Sequence, residues 1–171
     1  NYNMILTRDK IIEAINKGII KIDPFEEEAV GAASVDLTID KEIRVFVKTE
    51  TAIPITKDTD YRELTRKITI KDKYVMKPGE LVLGITQEII RLPGNICGWL
   101  NSRSRFARLG LAVHITAPFV QPGSKGKQVL EIYNAGPNNL ELIPGEKLCQ
   151  LILEECSGSF EYKGQFSNQE L

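Results

Sequence analysis

Apolar positions along the 171-residue chain fall into two regimes. Near the start they recur at helical spacing. Ile11, Ile12 and Ile15 share one face, Thr7 stands where an N-cap is needed, and Gly18 stands where a left-handed residue stops a helix. After Asp23-Pro24 the period shortens to short runs that alternate or are β-branched, at 34–39, 43–47, 68–70, 81–86, 95–100, 111–115, 128–133 and 148–154. Turn residues separate them. Pro-Gly occurs four times, at Pro78-Gly79, Pro93-Gly94, Pro122-Gly123 and Pro144-Gly145. In each, proline presets φ for the first central position of a turn and glycine accepts positive φ at the second. The related phrases Pro78-Gly79-Glu80-Leu81 and Pro144-Gly145-Glu146-Lys147-Leu148 predict equivalent tight turns rather than a duplicated domain. A second short helix is predicted over residues 102–109, with Phe106 and Leu109 toward the core. Many short strands and little helix predict a mainly β fold, a distorted barrel or jelly roll. The charged, weakly patterned residues 48–73 predict a surface excursion. No linker divides the chain, so residues 1–171 are read as a single domain, with Met4 expected as the natural start and Asn1–Asn3 ahead of it outside the fold.

Composition changes this picture mainly by exclusion. An apolar fraction of 42% with 26% charged residues is ordinary for a globular protein, which sets disorder aside. No apolar run approaches the roughly 18 residues of a spanning helix, and no signal-peptide pattern opens the chain. A net charge of −1 gives no global field for capturing a nucleic-acid backbone, so a bound polyanion must be small and locally held. Cys97, Cys149 and Cys156 form no CxxC pair and leave an odd count, which fits a reduced, cytoplasmic interior better than a disulfide framework. The single histidine, His114, has no nucleophile-elbow sequence to serve, and no Pro-Cys-x-x-Cys pair provides a zinc deaminase site.

Three features carry chemistry. Arg103, Arg105 and Arg108, interleaved with Ser102 and Ser104, combine charge, hydroxyls and helix-start N–H groups in a way suited to a phosphate chain. Taken alone, the cluster is equally a solvated basic helix face. In the strand at 128–133, alternation places Val129, Glu131 and Tyr133 on one face and Leu130 and Ile132 on the other. Glu131 is either an edge-strand carboxylate facing water or a desolvated acid or base whose pKa burial raises. The connection from His114 to Gly123, pinned by Pro118 and by Pro122-Gly123, is built to present backbone groups to a base, while His114 reads as structural.

The ordered set Ser-x-x-x-Arg-x-Gly-Leu (Ser104, Arg108), His-x-Thr-Ala (His114, Ala117), Pro-Gly-x-x-Gly and Leu-Glu-x-Tyr-Asn (Glu131) resembles the dCTP deaminase branch of the dUTPase-like superfamily. Met4-Ile5-Leu6-Thr7 with Ile11, Ala33-Ser34-Val35-Asp36-Leu37, and Pro144-Gly145-Glu146 with Gln150-Leu151 extend the similarity over nearly the whole chain. The resemblance implies a dUTPase-like distorted β-barrel and a zinc-independent site that hydrolyses the 4-amino group of dCTP, giving dUTP and ammonia. Glu131 would manage protons, Ser104 and Arg108 would position water, pyrimidine and phosphates, and Ala117 would offer its backbone carbonyl. Arg103 and Arg105 would meet the triphosphate, Gln121 the sugar, and Tyr162 and Gln169 would belong to a lid over about 160–171. The resemblance further implies Mg²⁺ bound through the triphosphate, a homotrimer with sites between subunits, and dTTP feedback through His114 and Ile115. Neither nucleic acid nor membrane is implied as a partner.

The chain departs from that pattern in three places. Gln121 stands before Pro-Gly where related sequences have Asp; glutamine can bond a sugar hydroxyl but cannot act as an anionic base. Arg105 replaces a small residue, and Gln165 stands where lysine is common. Two rivals therefore accompany the leading reading: a dUTPase or bifunctional enzyme giving dUMP, and a non-catalytic nucleotide-binding regulatory trimer.

Overall fold

A computed structural model describes residues 4–164 and 170–171. Helix α1 (Arg8–Asn16) follows Thr7 and ends at Gly18, which adopts φ +68° and donates its N–H to Ile15 at 2.9 Å. Ile11 is fully buried and Ile12 and Ile15 pack against the core, as the spacing predicts. The strands among the described residues are β1 (Lys21–Asp23), β2 (Val35–Phe46), β3 (Thr65–Thr69), β4 (Tyr74–Met76), β5 (Leu81–Thr86), β6 (Ile89–Arg91) and β7 (Ile96–Ser102). One helical turn, α2 (Ser104–Ala107), then leads to β8 (Leu111–Ala112), β9 (Phe119–Val120), β10 (Lys125–Gly126), β11 (Val129–Asn134), β12 (Leu140–Leu142) and β13 (Lys147–Glu155). The fold is mainly β, as expected.

Eight strands form one sheet in the order β8-β11-β5-β2-β13-β7-β9, with β3 also paired to β2. The long strand β2 is its hinge. Its first half pairs with β13 as far as Thr38, and its second half pairs with β3 and β5 from Ile43 to Val45. The sequence pattern predicts two strands here, broken at Asp40-Lys41-Glu42; instead a register shift between Ile39 and Ile43 absorbs the polar residues as a bulge. Such a bulge bends the strand and curls the sheet toward a barrel. Small sheets β1-β6-β10 and β12-β4 complete the wall.

The interior is aliphatic: Leu37, Ile39, Ile43, Ile90, Leu130, Ile132, Leu151 and Leu153 are fully buried. Each such side chain contributes about 1.5–3 kcal/mol through removal from water. Three of the four Pro-Gly turns behave as predicted, with Gly79, Gly123 and Gly145 at φ +79°, +77° and +90°. The next residue closes each turn, Glu80 onto Lys77, Ser124 onto Gln121 and Glu146 onto Ile143. Pro93-Gly94 differs: Gly94 has no positive φ, and Ile96 instead bonds back to Pro93 at 3.2 Å.

Other expectations need correction. The helix predicted over residues 102–109 is only Ser104–Ala107: Ser102 ends β7, Arg103 is the N-cap, and Leu109 is 60% exposed rather than in the core. The stretch 48–73 is not all excursion, because Thr65–Thr69 pairs with β2 along its length. The strand predicted at 111–115 stops at Ala112. No helix among the described residues is long and apolar enough to cross a membrane.

Candidate active site

Glu131 lies in β11, between β5 on one side and the end of β8 on the other. The strand alternates as predicted, with Leu130, Ile132 and Asn134 buried and Val129, Glu131 and Tyr133 half-buried on the opposite face. Because β8 pairs only with Tyr133 and Asn134, the chain beyond Ala112 leaves the ladder and crosses in front of Glu131. There it supplies donors. The Glu131 carboxylate accepts the N–H of Ile115 at 3.1 Å and of Thr116 at 2.6 Å, and the Thr116 hydroxyl at 2.8 and 3.0 Å. The Glu131 N–H points at Nδ1 of His114 at 3.5 Å.

This arrangement reverses the expected direction of the Glu131 pKa. Burial pushes the carboxyl upward, but the Thr116 hydroxyl, the Thr116 N–H, the His114 ring and the Ile115 N–H together outweigh it. The carboxyl is held below the ordinary carboxylate range, since hydrogen bonds to the charged form favour it. Thr116 has no expected role in the sequence pattern, yet its side chain and N–H provide three of the contacts, from 15 residues away. His114, read as structural, touches this centre, and its Nε2 is buried without a hydrogen-bond partner among the described residues. Ile115 and Ala117 are exposed on the same connection, where backbone groups are open to a ligand.

The basic segment stands nearby but apart. Gly110, at φ +89°, lies so close to Gly136 that a Cβ would fall 2.7 Å from its Cα, and its carbonyl accepts the Ala135 N–H at 2.8 Å. The turn after α2 is thereby clamped to the loop leaving β11. Ser104, Arg105 and Arg108 are exposed, and no ion pair among the described residues involves either arginine. Arg103 is committed elsewhere. Its guanidinium pairs with Asp36 at 2.8 Å and donates to the Lys147 carbonyl at 2.6 Å. Burial nonetheless pushes the Asp36 carboxyl up, against the pull of Arg103, Lys147 and Arg105. Ser102 is also occupied, its hydroxyl accepting the Val113 N–H at 2.9 Å. A single turn provides little macrodipole, so positive potential here comes from the arginines rather than from a helix start. Among the described residues, no hydrogen bond or ion pair joins Glu131 to Ser104, Arg105 or Arg108.

Gln121 is exposed at the first position of the Pro122-Gly123 turn. The half-buried Tyr162 reaches the same turn, donating its N–H to the Pro122 carbonyl at 2.9 Å. Gln169 lies outside the described residues, as does most of the expected lid beyond Gly164. A hollow of about 840 Å³, lined among others by Ile85, Ile89, Arg91, Lys125 and Leu171, includes none of the candidate residues.

Comparison with known proteins places this geometry. The crystal structure of 2'-deoxycytidine 5'-triphosphate deaminase from Agrobacterium tumefaciens superposes with a TM-score of 0.72 at 17% identity, over 91% of this chain and 49% of that one. This chain thus spans about half the length of that protein. A dUTPase from Staphylococcus aureus phage phi11 superposes with a TM-score of 0.52 at 13% identity, over 85% and 96% of the two chains. The fold is therefore of the dUTPase-like β class. Residues 5–156 match the dCTP deaminase-like family, and the chain belongs to it. The dCTP deaminase of Shewanella amazonensis is 40% identical over 165 residues, covering 91% of this chain and 85% of its own. A Mycobacterium ulcerans protein named dCTP deaminase, dUMP-forming, is 38% identical over 162 residues, covering 93% and 84%.

Proposed function

We propose that this chain hydrolyses dCTP to dUTP and ammonia, with Glu131 as the proton carrier. The observation that carries the reading is the Glu131 carboxylate, held by Ile115 and Thr116 on the half-exposed face of β11 in a chain of the dCTP deaminase-like family. Hydrolytic deamination needs a base as water adds to C4 of cytosine, and an acid as the amine departs. A carboxylate held below its ordinary pKa is ionised at neutral pH and serves first as the base. Having taken the proton of the water, it hands that proton to the leaving amine and returns to its starting state. The hydrogen bonds that depress its pKa also fix its orientation, which is a positioning contribution.

Ser104 and Arg108 would hold the attacking water and the nucleotide, Arg105 and Arg103 the triphosphate, Gln121 the sugar, and the Ala117 carbonyl the amine or water. Arg103 must first loosen from Asp36, so Arg105 and Arg108 are the better placed to meet phosphates. The homotrimer implied by the family resemblance would let one copy's arginines complete another's site, a reading supported by the exposure of Ser104 and Arg108, which have no hydrogen bond or ion pair to Glu131 among the described residues. Mg²⁺ would be bound through the triphosphate of the nucleotide, whose charge it would offset. His114 and Ile115, in contact with Glu131, are the place where dTTP would act as a feedback ligand. Three free cysteines support a reducing, cytoplasmic setting for the chain.

Relatives named dUMP-forming lie at an identity close to that of the plain deaminases, so identity alone does not separate the two products. Gln121 weighs against the dUMP-forming reading, because it cannot supply the anionic base that orients water for phosphate hydrolysis. Incubation with dCTP and Mg²⁺, followed by chromatography and an ammonia assay, tests the reading. Ammonia with dUTP supports it, pyrophosphate with dUMP transfers the chain to the bifunctional class, and tight binding without product makes it a non-catalytic module.

A further inference from the structure

Two cysteines distant in sequence meet at the end of the sheet. Cys97 lies in β7 opposite Glu154 of β13, with its thiol 3.6 Å from the Glu154 carbonyl. The ladder runs one residue past β13, since the Cys156 N–H donates to the Asn95 carbonyl at 2.8 Å. Alternation places Cys97 and Cys156 on one face as diagonal cross-strand neighbours, and both are free thiols, Cys97 buried and Cys156 half-exposed. The segment beyond Cys156 is fastened to the candidate site. Phe160 bonds to the Gly94 carbonyl at 2.8 Å, and Tyr162 bonds to the Pro122 carbonyl beside Gln121.

We propose that Cys97 and Cys156 form a reversible disulfide, a redox-responsive modification site that fastens the root of the C-terminal segment to β7. The oxidant is a small-molecule disulfide such as oxidised glutathione. The Cys156 thiolate, the more accessible, attacks one sulfur of the oxidant and expels the first glutathione thiolate. The Cys97 thiolate then attacks the Cys156 sulfur and expels the second. Two protein thiols are oxidised, one disulfide is reduced to two thiols, and the two protein protons end on the released glutathiones. Geometry sets this order, and acidity agrees with it. The Cys97 thiol is pushed up to about 11 by burial and by the hydrogen-bonded Cys156 thiol, which makes it a poor first nucleophile but a well-placed second one. Cys149 is the internal control, because burial pushes its thiol up to about 12 and no cysteine faces it across the ladder.

The test is oxidation of the full chain with oxidised glutathione, then denaturation, alkylation and intact-mass measurement with peptide mapping. The reduced chain takes three alkyl groups, one per cysteine. The oxidised chain is expected to take one, at Cys149, with a peptide joining Cys97 to Cys156 and full reversal by dithiothreitol. The Cys149→Ser variant should still oxidise within the chain, whereas Cys156→Ser should not. Three alkyl groups after oxidation, a glutathione adduct that persists on Cys156, or a bond between two chains overturns the proposal. Limited proteolysis after residue 156 reads the fastening itself: oxidation should slow cleavage, and an unchanged rate overturns that part.

Discussion

Glu131 sits among donors that its own chain supplies, whereas Arg105 and Arg108 stand exposed on one helical turn with no ion pair among the described residues. Both regions are polar and both lie within the residues that match the family, yet only the first is organised by hydrogen bonds within the chain. The carboxylate region carries its preorganisation in backbone N–H groups and a hydroxyl, which are fixed once the 113–118 connection crosses β11. The arginine region stores potential instead. Its charges remain solvated and gain from a phosphate only when one is brought to them. Under the proposed function, proton chemistry is built within one fold unit, while phosphate recognition waits for the substrate.

Removing the organised charge should have the largest effect. Glu131→Gln should lower deamination by about 10²–10⁴-fold, the range of a general acid–base group, with unchanged circular dichroism. Turnover of dCTP by the folded variant reads it directly. Next in size, Arg108→Ala should lower kcat/KM about 10–100-fold, the loss of one charge-assisted hydrogen bond, with the larger share in KM. If kcat carried the loss instead, the arginine region would be part of the proton chemistry and the contrast would fail.

Thr116→Val sharpens the other side. It keeps the N–H and removes the hydroxyl, the largest of the contributions that lower the Glu131 pKa. The carboxyl should move back up toward the ordinary range, observable by carbon-detected titration, and the acid limb of kcat/KM should move to higher pH. The stability consequence has a definite sign. A folded pKa below the unfolded one stabilises the fold above the ordinary carboxylate range, and that contribution fades as pH falls through the depressed folded value. Wild type should therefore lose stability on acidification more steeply than Thr116→Val. The smallest effects separate two neighbouring arginines. Arg103→Ala breaks the Asp36 pair and the bond to the Lys147 carbonyl and should cost about 1–3 kcal/mol in denaturant melts. Arg105→Ala, on the exposed side of the turn, should stay within about 0.5 kcal/mol.

The same contrast explains how much of the molecule is legible in the chain. The pattern predicts strand β5 at its observed bounds, because a β-branched run bounded by turn residues has few other uses. Two-residue strands such as Phe119–Val120 and Lys125–Gly126 leave no periodic signal, since one alternation is not a pattern. Glu131 stands out because alternation isolates it among aliphatic neighbours, but the direction of its pKa is not readable there. Local sequence reports burial, whereas the hydrogen bonds that outweigh burial come from Ile115 and Thr116 after β8 has ended early. Likewise, three neighbouring arginines look alike in sequence, and only the meeting of α2 with β2 and β13 ties Arg103 to Asp36 and Lys147.

The proposed role of the Thr116-held Glu131 carboxylate is to turn dCTP into dUTP. It is tested most directly by quantifying ammonia, dUTP and dUMP from dCTP with Mg²⁺, for wild type beside Glu131→Gln. The account predicts equal amounts of ammonia and dUTP from wild type, no dUMP, and almost no product from the variant. Undiminished ammonia release by folded Glu131→Gln would contradict it.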